Sequence, residues 1–236
     1  MAEVLLVHGS CHGAWCWHRV LPELEALGLP ARALDLPGRG ETPGLPSLRD
    51  HAEAILAALT GPTLLVGHSA GGYAITAAAE ADPSRIAGLA YLCAYAPAQG
   101  KSLADMRRDG PGQPLAPAIR LSPGRSHFTV DPARTDDLFY HDCPPEDRAL
   151  AARLLCPEPV APQETPLTLT ARSQCLPRFY IACTEDRTIP PAYQSRMALS
   201  VPPENRFTLP TSHSPFFAAP RDTAHLIAEI RSRLPA

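Results

Sequence analysis

Short apolar runs rich in β-branched residues alternate with helical periodicities through the first ninety residues of the chain. Val4 to Val7, Ala31 to Leu34, Thr63 to Val66 and Ile86 to Leu92 have the length and composition of buried strands. Apolar positions at helical spacing predict helices near Trp15 to Leu27, Leu48 to Leu59 and Gly72 to Ala81. Such alternation predicts parallel strands joined by crossover helices, a doubly wound sheet with each strand covered on both faces. Ser47, three residues ahead of Asp50, has the form of a capping box for the second helix, and Gly28 is a natural stop for the first.

From about Ala98 to Gln174 the alternation fails. Prolines recur, and short helical patches such as Pro145 to Leu155 are separated by segments with no strand period. This predicts a cap spanning 98–174, inserted into an α/β core made of residues 1–97 and 175–236. Regular order returns with the strand Phe179 to Cys183, a helix around Ala192 to Leu199, the short run Arg206 to Leu209 and a last helix from Pro220 to Leu234. A final βαβα unit is expected to close the sheet.

Composition narrows the function classes. A chain of 236 residues with 45% apolar content can bury the core of one α/β domain. Its net charge of −3, with both signs scattered, leaves no electrostatic footprint for nucleic acid or an anionic membrane, so a small or neutral ligand is the natural partner. The run Val4 to Val7 is too short for a signal-peptide core and lacks a basic segment before it, and no stretch approaches a membrane span. The expectation is a soluble, cytoplasmic protein. Seven cysteines without a CxxC pair argue against a disulfide framework and a structural zinc site, and they read as reduced small hydrophobes. No heptad sets an oligomeric state.

The candidate chemistry begins at Gly67-His68-Ser69-Ala70-Gly71, directly behind the strand Thr63 to Val66 and ahead of a small-residue helix. Strand, sharp turn and helix make a nucleophile elbow: small flanking residues permit the tight turn that pushes the Ser69 hydroxyl outward. A serine needs a base and a carboxylate that orients the base. Asp186 follows the strand Phe179 to Cys183, and His213 follows the run ending at Leu209, so both lie on loops at the carboxyl edge of the sheet. Two alternatives stand beside this reading: Asp186 as a cap for the helix near Pro190, and the adjacent Glu185 as the inward carboxylate. His68 is expected to pack or hydrogen-bond beneath the turn.

Acyl chemistry also needs donors for a developing oxyanion. The Ala70 amide supplies one, and the loop Val7-His8-Gly9-Ser10-Cys11-His12-Gly13 brings the Ser10 amide as the second, with Gly9 and Cys11 close to the ligand. His8 and His12 have the spacing of helical zinc ligands, but neither a helix nor a third ligand is indicated, and no metal or cofactor is expected. Tyr95, Phe128, Phe139, Tyr140 and Phe216 are candidate pocket walls, with core packing as the alternative role for each.

The elbow, the His-Gly loop and the ordered acid and base resemble the α/β-hydrolase superfamily. Val7 to Trp17, then Leu27-Gly28 and Ala33-Leu34-Asp35-Leu36, resembles more narrowly the opening of the plant methylesterase and hydroxynitrile lyase family. The resemblance covers residues 1 to about 95 and about 178 to the end, and is weak between. It implies a sheet of about six parallel strands, Ser69, Asp186 and His213 as a triad, and Ser10 and Ala70 as the oxyanion hole. Lyase members carry a threonine after the first histidine of the opening motif and a lysine after the catalytic histidine; this chain has Gly9 and Ser214, which favours the esterase branch. The expected activity is a serine carboxylesterase acting on a small or aromatic ester. Thioester, lactone or amide cleavage by the same triad, and a ligand receptor with slow turnover, are the rival readings.

Overall fold

The computed structural model describes residues 3–39 and 44–235. Six strands form one sheet: β1 Glu3–Val7, β2 Ala31–Leu34, β3 Thr63–His68, β4 Ile86–Leu92, β5 Arg178–Cys183 and β6 Arg206–Leu209. Their order is β2-β1-β3-β4-β5-β6, and every adjacent pair is parallel. The parallel pairing is what the alternation predicts, and the number of strands is the six that the resemblance implies. The inner strands are almost wholly buried, whereas β2 and β6 are only partly covered, because each lies at an edge and exposes a residue, Arg32 and Thr208.

Side chains of the inner strands divide between two cores with a period of two. Val4, Leu6, Leu64, Val66, Phe179 and Ile181 face one core, which also takes in Val20 and Leu24 of α1 (Val20–Ala26) and Ile227 and Ile230 of the terminal helix Pro220–Ser232. Leu5, Val7, Leu65, Leu89, Tyr91 and Tyr180 face the other, against α2 (Leu48–Ala58), α3 (Gly71–Ala81) and the helix Pro191–Ala198. Helices therefore cover both faces.

Local signals account for most boundaries. The Ser47 hydroxyl accepts from the Asp50 amide while the Asp50 carboxylate accepts from the Ser47 amide, so the capping box forms and α2 begins at Leu48. Gly28 takes a φ of 67° and ends the first helical stretch. The single helix expected from Trp15 to Leu27 is instead a 3-10 turn, Ala14–Trp17, followed by α1. Pro22 explains the break: it has no N–H to give the turn before it, and starting the helix at Val20 leaves Pro22 in the first turn, where none is needed.

Between β4 and β5 the chain forms several short helices and a three-stranded antiparallel sheet of residues 119–121, 127–130 and 158–159. The sequence reading expects no strand there. Each of these strands has at most four residues, and prolines surround the last, so no period could show. Phe128, Val130, Leu138, Phe139 and Tyr140 of this segment join the core shared with β1 and β3.

The topology fixes where chemistry can occur. From β2 the chain crosses over β1 to β3, so the loops leaving β1 and β3 diverge at the carboxyl edge of the sheet, where α/β sheets bind ligands. The two strands are in register with Val7 opposite Gly67. Behind the turn that follows, a Cβ on Gly71 would lie 2.7 Å from the His8 carbonyl oxygen and 2.8 Å from that of Val7. Gly71→Ala is expected to lower stability by about 1–3 kcal/mol through this overpacking, read as a lower urea midpoint at unchanged m-value.

Candidate active site

The turn after β3 places Ser69 at a φ of 52°, in the left-handed region that an L side chain occupies at a cost of about 1–3 kcal/mol. Three backbone hydrogen bonds hold it there. The Ser69 amide donates to the Leu92 carbonyl at 3.2 Å, and the Ser69 carbonyl accepts from the amides of Gly72 at 3.2 Å and Tyr95 at 3.1 Å.

The loops after β5 and β6 meet the hydroxyl. His213 Nε2 lies 3.0 Å from Ser69 Oγ, and His213 Nδ1 lies 2.6 Å from Asp186 Oδ2. Asp186 is buried and Glu185 exposed, so of the two adjacent carboxylates it is Asp186 that lies against His213. The other Asp186 oxygen accepts from the amides of Thr188 and Ile189, at 2.6 and 2.9 Å, so the carboxylate also organises the loop leading to the helix Pro191–Ala198. Backbone bonds from Thr184 to Leu209 and from Glu185 to Thr211 tie the acid loop to the base loop. Beneath the turn, His68 Nε2 donates to the His213 carbonyl at 2.8 Å.

Ser10 and Ala70 line a cavity of about 20 Å³ in front of Ser69, enough for about one water molecule. Among the described residues neither of their amides donates a hydrogen bond. A Cβ on Gly9 would come within 2.8 Å of both Ser69 Cβ and His68 Nδ1, so only glycine lets the β1 loop lie this close to the turn. Cys11 has a φ of 63°, and its amide donates to Glu158 Oε2 at 2.8 Å. Glu158 forms a buried ion pair with Arg39, and Gln163 Nε2 donates to both Glu158 Oε1 and Ser10 Oγ.

Of the candidate wall residues, Tyr95 and Phe139 reach this cavity. Phe128, Tyr140 and Phe216 are set in the packing around it: Phe128 lies under the Arg107 guanidinium, the Tyr140 hydroxyl bonds His12 Nε2 at 2.6 Å, and Phe216 packs on His68. Cys11 acts through its amide, since burial pushes its thiol up to about 12.

Several residues at the site carry no clear sequence signal. Glu158 and Gln163 sit among prolines with no local period, and Arg107 reads as one charge in the run Met106-Arg107-Arg108-Asp109. Gln194 is the exception. It is fully buried in the apolar stripe of Tyr193 and Met197, it donates to Asp186 Oδ2 at 2.8 Å, and a polar residue in such a stripe is a readable sign.

Residues 4–226 match the model of the alpha/beta hydrolase family. The chain belongs to the alpha/beta hydrolase family. It is 32% identical over 252 residues to the putative methylesterase 15 of Arabidopsis thaliana and 31% identical over 245 residues to a pyrethroid hydrolase of Sphingobium wenxiniae. These matches cover 98% and 97% of the chain, and 56% and 87% of the respective relatives. The chain thus spans little more than half the length of that plant relative. The solved structure of a pyrethroid hydrolase from Sphingobium faniae superposes with a TM-score of 0.88 at 29% identity, covering 98% of this chain and 97% of that one.

Around the Ser69 turn, the chain buries several histidines in neutral form. His8 Nε2 accepts from the Leu36 amide and His12 Nδ1 donates to the Ser10 carbonyl, so the ring nitrogens are committed to hydrogen bonds. Burial holds His8 and His68 well below the ordinary imidazole range and lowers His12 and His51 to about 4. The unfolded chain takes up protons on these rings as pH falls through about 6.5, while the folded one does not. Their stabilisation is therefore complete above that value and is lost progressively toward pH 4. The melting temperature of the protein is expected to drop steadily from pH 7 to pH 5, with more than one proton taken up on unfolding at pH 5. A flat profile would contradict the buried neutral state.

Proposed function

We propose that the chain is a carboxylic ester hydrolase that works through an acyl-enzyme on Ser69. The observation that carries this reading is the buried file Asp186, His213, Ser69, with the serine held in a left-handed turn and hydrogen-bonded to the base. The names of its relatives, methylesterase and pyrethroid hydrolase, support ester chemistry.

In this mechanism Ser69 Oγ attacks the ester carbonyl while His213 Nε2 takes its proton, and Asp186 holds the Nδ1–H and stabilises the imidazolium. The carbonyl oxygen, now an oxyanion, accepts from the Ser10 and Ala70 amides, which have no other acceptor among the described residues. The C–O bond to the alcohol breaks and His213 returns the proton to the leaving oxygen. Water then attacks the acyl-serine, giving its proton to His213, and the acid leaves as Ser69 recovers its hydrogen. Residues 98–174 serve as the lid, with Phe139, Leu115 and Val130 of this segment lining the cavity.

Small aromatic methyl esters are the first substrates to try. Ser69→Ala is expected to lower kcat for p-nitrophenyl butyrate by about 10³-fold or more, with the fold retained by circular dichroism. A fluorophosphonate probe is expected to add its mass to the peptide containing Ser69 and to no peptide of the variant. Retention of wild-type turnover by Ser69→Ala would remove the serine from the mechanism.

A further inference from the structure

The cavity in front of Ser69 has one wall with a charge that the hydrolytic mechanism does not use. Arg107, half-buried on the helix Leu103–Asp109, lines that cavity together with Tyr95, Leu115 and Thr188. The same four residues line a second small depression that continues past Gly110 and Pro114. They therefore separate the reactive serine from the outer surface, and a substrate lying between the two passes the guanidinium.

Its neighbours on the helix are paired. Arg108 bonds Asp105, and Lys101 bonds Asp109. Among the described residues no carboxylate lies within ion-pair distance of Arg107. An Nη2 bond to Gln163 Oε1, at 2.7 Å, anchors it, the Tyr95 hydroxyl is a further polar neighbour, and the group lies 5.9 Å from the centre of the Phe128 ring. Gln163 brings no charge, and its amide is already committed to Ser10 and Glu158. Tyr95 brings none either, because burial raises its phenol despite the charge and the hydrogen bond of Arg107 beside it. The Arg107 Nε–H is buried with no acceptor, a cost that an oxygen of a bound ligand would relieve.

We propose that Arg107 binds a free carboxylate of the substrate, so that the ester cleaved at Ser69 belongs to a molecule with a second, ionised acid group. This rests on the hydrolase reading above. A carboxylate fits better than a phosphate: it brings one charge to one guanidinium, matches the planar fork of donors, and leaves the apolar Leu115 and Val130 beside its carbon chain.

Matched esters test the proposal. Monomethyl glutarate and dimethyl glutarate differ in one free carboxylate, and acetoxyacetate and its methyl ester place that carboxylate on the alcohol side. In at least one pair the wild-type kcat/KM is expected to favour the anion, and Arg107→Met is expected to reduce that preference about 10- to 100-fold. Arg107→Lys, which keeps the charge and loses the fork, is expected to fall between them. Because the readout is a ratio within each protein, a general loss of folding or of serine reactivity cancels. No wild-type preference in either pair, or a preference unchanged in Arg107→Met, overturns the proposal. If no ester at all shows Ser69-dependent turnover, the hydrolase reading fails instead. Glutarate binding by calorimetry then judges Arg107 alone: binding lost in Arg107→Met supports the subsite, and no binding to the wild type overturns it.

Discussion

The reactive edge depends on the close approach of two backbones, those leaving β1 and β3. Gly71 faces the carbonyls of Val7 and His8, and Gly9 faces the side chains of His68 and Ser69, at distances that leave no room for a Cβ. This contact lets Ser69 turn sharply into α3 and puts the Ser10 amide near the Ala70 amide. The left-handed strain at Ser69 is small beside what holds it: three backbone hydrogen bonds to the ends of β4 and α3, and strands that are buried on both faces. A rigid sheet can impose such a turn, and a free loop would relax it.

Charge around this edge is arranged so that little of it is left unpaired. His8, His12, His51 and His68 stay neutral because burial disfavours the charged ring and their hydrogen bonds suit the neutral one. Asp186 accepts from His213, Gln194 and two amides, which compensates a buried carboxylate in the way a lone charge could not be. The Arg39–Glu158 pair does similar work on the other side of the Ser10 loop, where Glu158 also takes the Cys11 amide. The segment between β4 and β5 is therefore a structural part of the site. It supplies Glu158 and Gln163 to the β1 loop, and the Leu138 carbonyl and Asp142 to the loops of Asp186 and His213.

The parallel sheet was legible because its inner strands are short apolar runs, and because Ser47 and Gly28 cap and stop helices by local chemistry alone. The same reading failed where local pattern and tertiary need diverge. Pro22 divided a helix whose apolar spacing looked unbroken, and the strands at 119–121, 127–130 and 158–159 are too short to show a period. Among the aromatic residues, composition could not separate Phe139, at the cavity, from Phe216, in the core beneath it, since both are buried rings near histidines.

By itself the sequence determined the sheet, the order of its helices, and the positions of Ser69, Asp186 and His213 after three strands. Those features follow from periodicity and turn chemistry, which act over a few residues. Only the tertiary structure decided that Asp186 rather than Glu185 turns inward, that Glu158 braces the β1 loop, and that Arg107 lines the cavity in front of the serine. Each of these rests on a contact between side chains distant along the chain or on which of two neighbours is buried. Such choices are made by packing, and no local pattern encodes them.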